Sequence, residues 1–209
     1  MASASLTSPP LIEWGVAALP LAGEAESGDS YLVKLLPHGA LLAVVDGLGH
    51  GGKAAAAAKT AVAALEDSAN ESVIAVVKRC HERLRRTRGV VMSLAVFHAP
   101  DNTLTWLGVG NVEGLLLRAD AQASPARESV LLRGGVVGCE LPPLRASVIP
   151  VFRGDTLILS TDGICRGFAE GLSQNAPPQQ IADPASLPAT ARARTTRWCW
   201  WRGTWEARN

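Results

Sequence analysis

Short hydrophobic runs bounded by turn residues recur along the chain, and this pattern predicts mostly strands. The first three lie at 11–21, 31–36 and 41–45, and their close spacing indicates an antiparallel meander. A second group of runs follows a helical region and predicts strands at 90–98, 103–109, 112–118, 129–132, 146–151 and 156–160. The predicted strands therefore form two groups in the sequence, one before the helices and one after them.

Two amphipathic or alanine-rich segments lie between these batches and predict helices at 53–65 and 71–86. Strands in two batches around a helix pair favour an α+β sandwich over a parallel βαβ series. We divide the chain into an N-terminal extension (1–10), one domain (11–183) and an atypical Arg/Trp-rich tail (184–209).

Asp46 ends the third predicted strand and begins a turn containing Gly47, Gly49, Gly51 and Gly52. A carboxylate held at the end of a rigid strand is suited to a hard cation such as Mg²⁺ or Mn²⁺. The structural alternative is a tight strand-to-helix turn whose aspartate caps the helix. His50 in this turn is a candidate for contacting phosphate or moving a proton, with a structural turn histidine as the alternative.

Two other aspartates share this position next to a glycine at a strand end. Asp29 begins a predicted strand after Gly28, and Asp162 ends one before Gly163. Two sheets packed face to face can bring such ends together at one rim. Three carboxylates suit one or two divalent cations, and two ions about 3.5–4 Å apart can direct a shared hydroxide at phosphorus. Singly, an aspartate in such a position is more often a turn former or a helix cap.

The composition argues against several other classes of function. A net charge of +1 gives no reason to expect nucleic acid or an anionic membrane as partner. The N-terminus lacks the pattern of a signal peptide, and no hydrophobic run approaches the ~20 residues that span a bilayer. The four cysteines are scattered without a CxxC pair, which predicts a reducing compartment and hence a cytoplasmic location.

Several further motifs have competing interpretations. Residues 47–53, GLGHGGK, match the G-x-x-x-x-G-K pattern of nucleotide-binding P-loops, but Ala54 replaces the hydroxyl residue that binds Mg²⁺. The arginines at 83, 85, 86 and 88 either attract a phosphoprotein or form a solvated helix face. Trp14 and Trp106 are predicted to lie in the core.

The order of four motifs, SGDSY, VVDGLGHGGKAA, GVGN and LSTDG, resembles the metal-dependent serine/threonine protein phosphatases of the PPM type. The resemblance covers residues 14–168 and is greatest to the SpoIIE-like branch and its single-domain stressosome phosphatases. It implies an α-β-β-α sandwich of two antiparallel sheets flanked by helices. It also implies two Mn²⁺ or Mg²⁺ ions. Asp46 would bridge the ions, the Gly47 carbonyl would act as a ligand, and Asp29 and Asp162 would each bind one ion.

The resemblance further implies that a metal-activated water attacks phosphoserine or phosphothreonine without a covalent intermediate. The expected substrate is a phosphorylated signalling protein, such as a stressosome or anti-sigma-factor-antagonist component, in bacterial stress response or sigma-factor regulation. The alternatives are an impaired phosphatase fold that only binds its phosphorylated partner, and a nucleotide binder.

The tail departs from this family, which has an aspartate before its last strand. From Pro184 onward the chain shows no periodicity and holds four of its six tryptophans. The Trp-Cys-Trp-Trp run at 198–201 must be encoded TGG-TGY-TGG-TGG, and reading one base earlier gives Val-Leu-Val whichever cysteine codon is used. Over 194–206 this frame permits Asp-Asp-Ala-Leu-Val-Leu-Val-Ala-Arg-Tyr-Leu-Gly. We therefore hypothesise a frameshift near residues 183–184 that removed an acidic pair and its strand.

Overall fold

Two β-sheets packed face to face form the centre of the computed structural model, which describes residues 11–19, 26–162, 176–183 and 196–203. In chain order the elements are β1 (Ile12–Leu19), β2 (Asp29–Leu36), β3 (Gly39–Gly47), α1 (Gly52–Asp67), α2 (Val73–Leu84), β4 (Val90–His98), β5 (Thr103–Val109), β6 (Glu113–Leu117), β7 (Arg127–Ser129), β8 (Leu132–Arg133), β9 (Ser147–Pro150), β10 (Thr156–Ser160), α3 (Pro178–Ala182) and β11 (Thr196–Gly203). Sheet A has the order β1-β11-β10-β6-β7, and sheet B has the order β2-β3-β4-β5-β8 with β9 also paired to β5.

The layers follow from the alternation of side chains along the strands. On β3, Leu42 and Val44 enter the core between the two sheets, whereas Leu41, Ala43 and Val45 enter the core between sheet B and helices α1 and α2. Because β3 is buried on both faces, its sequence is a continuous hydrophobic run. Helix α3 packs on β1 and β11 of sheet A. The predicted α-β-β-α arrangement is confirmed.

The first three strands do not form the predicted meander. Strands β2 and β3 are an antiparallel pair in sheet B, but β1 lies in sheet A beside β11. The long connection from residue 20 to residue 28 allows the chain to cross between sheets, which a tight hairpin would not. Sheet B is also not purely antiparallel, since β8 runs parallel to β5.

The two tryptophans predicted to be core residues differ. Trp106 is buried between the sheets, whereas Trp14 is 47% exposed on β1 and contacts Tyr31 with ring centroids 6.3 Å apart. Position 14 shares its face of β1 with Ile12 and Val16, which pack in the core between the sheets. Because β1 is the edge strand of sheet A, Trp14 lies at the open margin of that core and stays exposed.

Part of the tail is a strand. β11 pairs antiparallel with β1 on one side and β10 on the other, and the pairing of Ser160 with Trp198 brings the start of β11 alongside the end of β10. Residues 196–203 thus belong to sheet A although their sequence lacks the usual strand alternation. The rest of the tail lies outside the described residues.

A network of ion pairs lies at the opposite end of sheet A, just before β10 begins. The Arg118 guanidinium donates to Asp155 at 2.7 Å and to the Pro150 carbonyl at 2.8 Å, and it also pairs with Glu128. Only 8% of the Arg118 side chain and 1% of the Asp155 side chain are exposed. Removing one partner would leave a buried, uncompensated charge.

We therefore expect Arg118→Met to lower the free energy of unfolding by about 3 kcal/mol, measured by urea denaturation. The matched control is Arg145→Met at an exposed position, which should change stability by less than about 0.5 kcal/mol. Equal stability of the two variants would show that the network contributes nothing.

In the described residues no helix is long and hydrophobic enough to cross a membrane.

Candidate functional site

The antiparallel pairing of β2 with β3 brings two of the predicted aspartates together. Asp29, the first residue of β2, lies directly opposite Asp46 near the end of β3. A hydrogen bond from the Gly47 amide to the Gly28 carbonyl, 3.0 Å long, continues the pairing beyond them. Like charges directly opposite on neighbouring strands destabilise a sheet, so their presence here indicates a functional requirement.

The third aspartate, Asp162, is contributed by the other sheet. Asp162 follows β10, and its carboxylate accepts a hydrogen bond of 2.8 Å from the Asn111 side chain. The hydroxyl of its neighbour Thr161 donates to the Asp29 carboxylate at 3.2 Å, which ties the rims of the two sheets together. All three aspartates line one open cavity of about 380 Å³. The structure therefore brings the three predicted carboxylates together.

The electrostatics of this cavity disfavour three ionised carboxylates without a cation. Burial, and after it the charges of Asp29 and Asp162, together raise the pKa of Asp46 from its ordinary value of 3.8 to about 7. A carboxyl group with a pKa this high at a strand end is typical of a functional site. A divalent cation would remove the repulsion.

Hard carboxylate and carbonyl oxygens are the donors that Mg²⁺ and Mn²⁺ prefer, so the chemistry of the site fits these ions. Within the described ranges, however, no three His, Cys, Asp or Glu side chains are arranged to hold an ion. Asn111 donates to Oδ2 of Asp162 and Thr161 donates to Oδ2 of Asp29, so these hydrogen bonds orient the two carboxylates. The Gly47 carbonyl faces the loop before Asp29, 3.3 Å from where a Cβ on Gly28 would lie.

The glycine turn after Asp46 has strict backbone requirements. Gly49 and Gly51 have positive φ values of 90° and 72°, which other residues adopt only with strain. A Cβ on Gly47 would lie 2.2 Å from the Ala54 carbonyl, so glycine is needed for β3 to approach α1. The turn thus holds the end of β3 against the start of the helix.

Two alternatives for this turn do not agree with the structure. Asp46 does not cap α1, because the N-cap position is Gly51 and no side chain caps the helix there. The P-loop interpretation requires a parallel sheet, whereas β3 runs antiparallel to both β2 and β4. His50 lines the cavity as its position in the turn predicted, and its role in catalysis stays a prediction.

Sequence reasoning missed several residues of the site. Asn111 and Thr161 each bond to a predicted aspartate, and Glu26 lines the cavity while pairing with Lys59 at 3.0 Å. Asn111 belongs to the GVGN motif, which we used as a family signature without assigning its side chain a role. Thr161 is adjacent to Asp162, but only the packing of sheet A against sheet B brings it to Asp29.

Two adjacent polar residues of α2, Cys80 and His81, lie outside the site. Burial raises the pKa of the Cys80 thiol to about 12, which leaves it unreactive in the core. His81 Nδ1 accepts a hydrogen bond of 3.0 Å from the Gly138 amide.

Comparison with known proteins gives consistent matches. The family model described as Stage II sporulation protein E (SpoIIE) matches residues 37–193. The phosphoserine phosphatase RsbX of Bacillus subtilis (strain 168) is 27% identical over 144 residues, which are 68% of this chain and 69% of RsbX.

Two solved structures show the same fold. The first comes from a study of the bacterial stressosome, a modular system that has been adapted to control secondary-messenger signalling. It has a TM-score of 0.81 at 28% identity, and the match covers 91% of this chain and 99% of that chain. The other is RsbX in complex with magnesium, with a TM-score of 0.77 at 21% identity and coverage of 91% and 94%.

Proposed function

The chain belongs to the SpoIIE family, and from this premise we propose that it is a metal-dependent phosphatase acting on phosphoserine or phosphothreonine in a signalling protein. The observation that carries this proposal is the convergence of Asp29, Asp46 and Asp162 from two sheets in one cavity. The raised pKa of Asp46 supports it, since repulsion among the carboxylates favours a cation at that point.

The proposed mechanism assigns a role to each residue. Asp46 and Asp29 on adjacent strands, Asp162 from the opposite sheet and the Gly47 carbonyl would hold one or two Mg²⁺ or Mn²⁺ ions. Bound divalent cations polarise phosphoryl oxygens and lower the pKa of water. Asn111 orients Asp162, and Thr161 orients Asp29. His50 lines the cavity, and we assign it the transfer of a proton to the leaving seryl or threonyl oxygen.

The proposed substrate is a phosphorylated component of a stressosome or an anti-sigma-factor antagonist. Support comes from the similarity to RsbX and to the stressosome-related structure. A cytoplasmic location and the absence of nucleic-acid or membrane partners stay predictions from composition.

The test is release of phosphate from phosphoserine and phosphothreonine peptides by the full chain with Mn²⁺ or Mg²⁺. We expect release that depends on the added ion and stops with a chelator. No release from any peptide by folded protein, with either ion, would contradict the proposal.

A second candidate is a binding module with the same fold. It is favoured by the incomplete arrangement of metal ligands within the described ranges. Calorimetric binding of ions and phosphopeptide without phosphate release would identify this function.

Metal affinity should depend on pH through Asp46. Below about pH 7 an ion must displace the proton of this carboxyl group, so affinity should fall about tenfold per pH unit as pH decreases from 7 to 5. Calorimetric titration with Mg²⁺ at several pH values measures this dependence. The matched control is Asp101→Asn at an exposed position outside the cavity, which should keep the same slope. A wild-type affinity that is constant over this range would contradict the assignment of Asp46.

A further inference from the structure

Arg88 brings a guanidinium group to the rim of the carboxylate cavity. Its Nη1 atom lies 2.6 Å from where a Cβ on Gly49 would be, and Gly49 lines the cavity. Position 49 therefore combines a positive φ, which disfavours a larger residue, with contact to this arginine. The side chain of Arg88 thus lies against the turn that follows Asp46.

The backbone around Arg88 is held by neighbours on two sides. The Leu48 amide of the glycine turn donates to the Gly89 carbonyl at 3.1 Å, and the Cys139 thiol approaches the Arg88 carbonyl at 3.5 Å. Val90 and Val137 exchange two backbone hydrogen bonds of 2.9 Å next to it. These bonds fix Arg88 between the glycine turn and the loop that contributes Val136 to the cavity.

The charges at this rim leave the guanidinium available to an anion. The cavity lining includes the acidic residues Glu26, Asp29, Asp46 and Asp162, and its described members include no lysine or arginine. Nearby Arg83 and Arg85 pair with Asp67 and Glu82. In the described part of the chain no carboxylate pairs with Arg88, which is exposed to solvent.

We propose that Arg88 is a substrate-binding residue that donates hydrogen bonds to the phosphoryl oxygens of the substrate at the mouth of the carboxylate cavity. An arginine fork matches two oxygens of one phosphoryl group, and such charge-assisted bonds are about twice as strong as neutral ones. The inference rests on the proposed phosphatase function, to which it adds the group that recognises the phosphoryl anion.

The experiment compares wild type with Arg88→Ala, Arg88→Lys and the control Arg86→Ala, which changes an exposed arginine of the same segment outside the cavity lining. Two quantities are measured with Mg²⁺ present: calorimetric affinity for inorganic phosphate, and kcat and KM for 4-nitrophenyl phosphate.

We expect Arg88→Ala to weaken phosphate binding and raise KM by about tenfold or more, with a smaller change in kcat. Arg88→Lys should fall between, because it keeps the charge but loses the fork. Arg86→Ala should stay within about twofold of wild type. An Arg88→Ala variant within about twofold of wild type in both quantities overturns the inference.

The two proposals fail in different ways. Wild-type hydrolysis that is insensitive to Arg88→Ala overturns the role of Arg88 and leaves the phosphatase function standing. Phosphate binding that depends on Arg88, in a chain that hydrolyses nothing, overturns the phosphatase function and supports the role of Arg88. A folded wild-type chain that neither binds phosphate nor hydrolyses substrate overturns both.

Discussion

Asp46→Asn is expected to lower kcat/KM for metal-dependent phosphate release by at least about a thousandfold, which corresponds to about 4 kcal/mol of transition-state stabilisation. Asp46 is central among the three carboxylates, since it lies opposite Asp29 in the sheet and feels the charge of Asp162. An amide in its place keeps the shape of the side chain but removes the negative charge that would hold a cation.

The control for this prediction is Asp101→Asn, which changes an exposed carboxylate paired with His98 away from the cavity and should leave activity unchanged. Steady-state assays with a phosphoserine peptide measure both variants, and circular dichroism confirms that each is folded. An Asp46→Asn variant that keeps more than about a tenth of wild-type activity would place the chemistry elsewhere.

The second large effect concerns the tail. A chain whose residues after 183 are translated in the alternative frame is expected to hydrolyse phosphopeptide about a thousandfold faster than this chain. The pairing of β11 with β10 supplies the physical reason. Because Ser160 pairs with Trp198, the start of β11 lies alongside the end of β10, where Asp162 follows. An acidic pair encoded just before β11 would therefore enter the cavity as a further ligand.

The measurement compares the two chains at the same Mn²⁺ concentration. The control is a restored chain whose new acidic pair is replaced by asparagines, which keeps the alternative strand but removes the charges. Equal activities of the restored chain and of this chain would show that the frame has no bearing on function. Sequencing the coding DNA tests the hypothesis independently, and a reading frame without a plausible insertion or deletion would refute it.

Elements with strong local signals could be predicted from sequence. Val90–His98, Thr103–Val109 and Thr156–Ser160 have the bounds that their hydrophobic runs and turn residues indicated. The pairing of β1 with β11 could not be predicted, because its partner lies near the other end of the chain and lacks strand alternation. The parallel contact of β8 with β5 involves two residues of β8, too few for any pattern.

The candidate site shows the same division. The three aspartates share a local pattern at strand ends, so a sequence is enough to propose them. Asn111 contacts Asp162 across a sequence separation of 51 residues, and Thr161 contacts Asp29 across a separation of 132 residues. Only the packing of the sheets creates these contacts. Arg88 belonged to a cluster of arginines with no local feature to separate it from its neighbours, and its contact with Gly49 distinguishes it.

The central claim is that the three aspartates form a divalent-cation site, and anomalous diffraction from crystals of the full chain grown with Mn²⁺ tests it most directly. We predict an anomalous peak inside the cavity, between the carboxylates of Asp29 and Asp46. A well-ordered cavity without such a peak, at a Mn²⁺ concentration that saturates binding in solution, would contradict the claim.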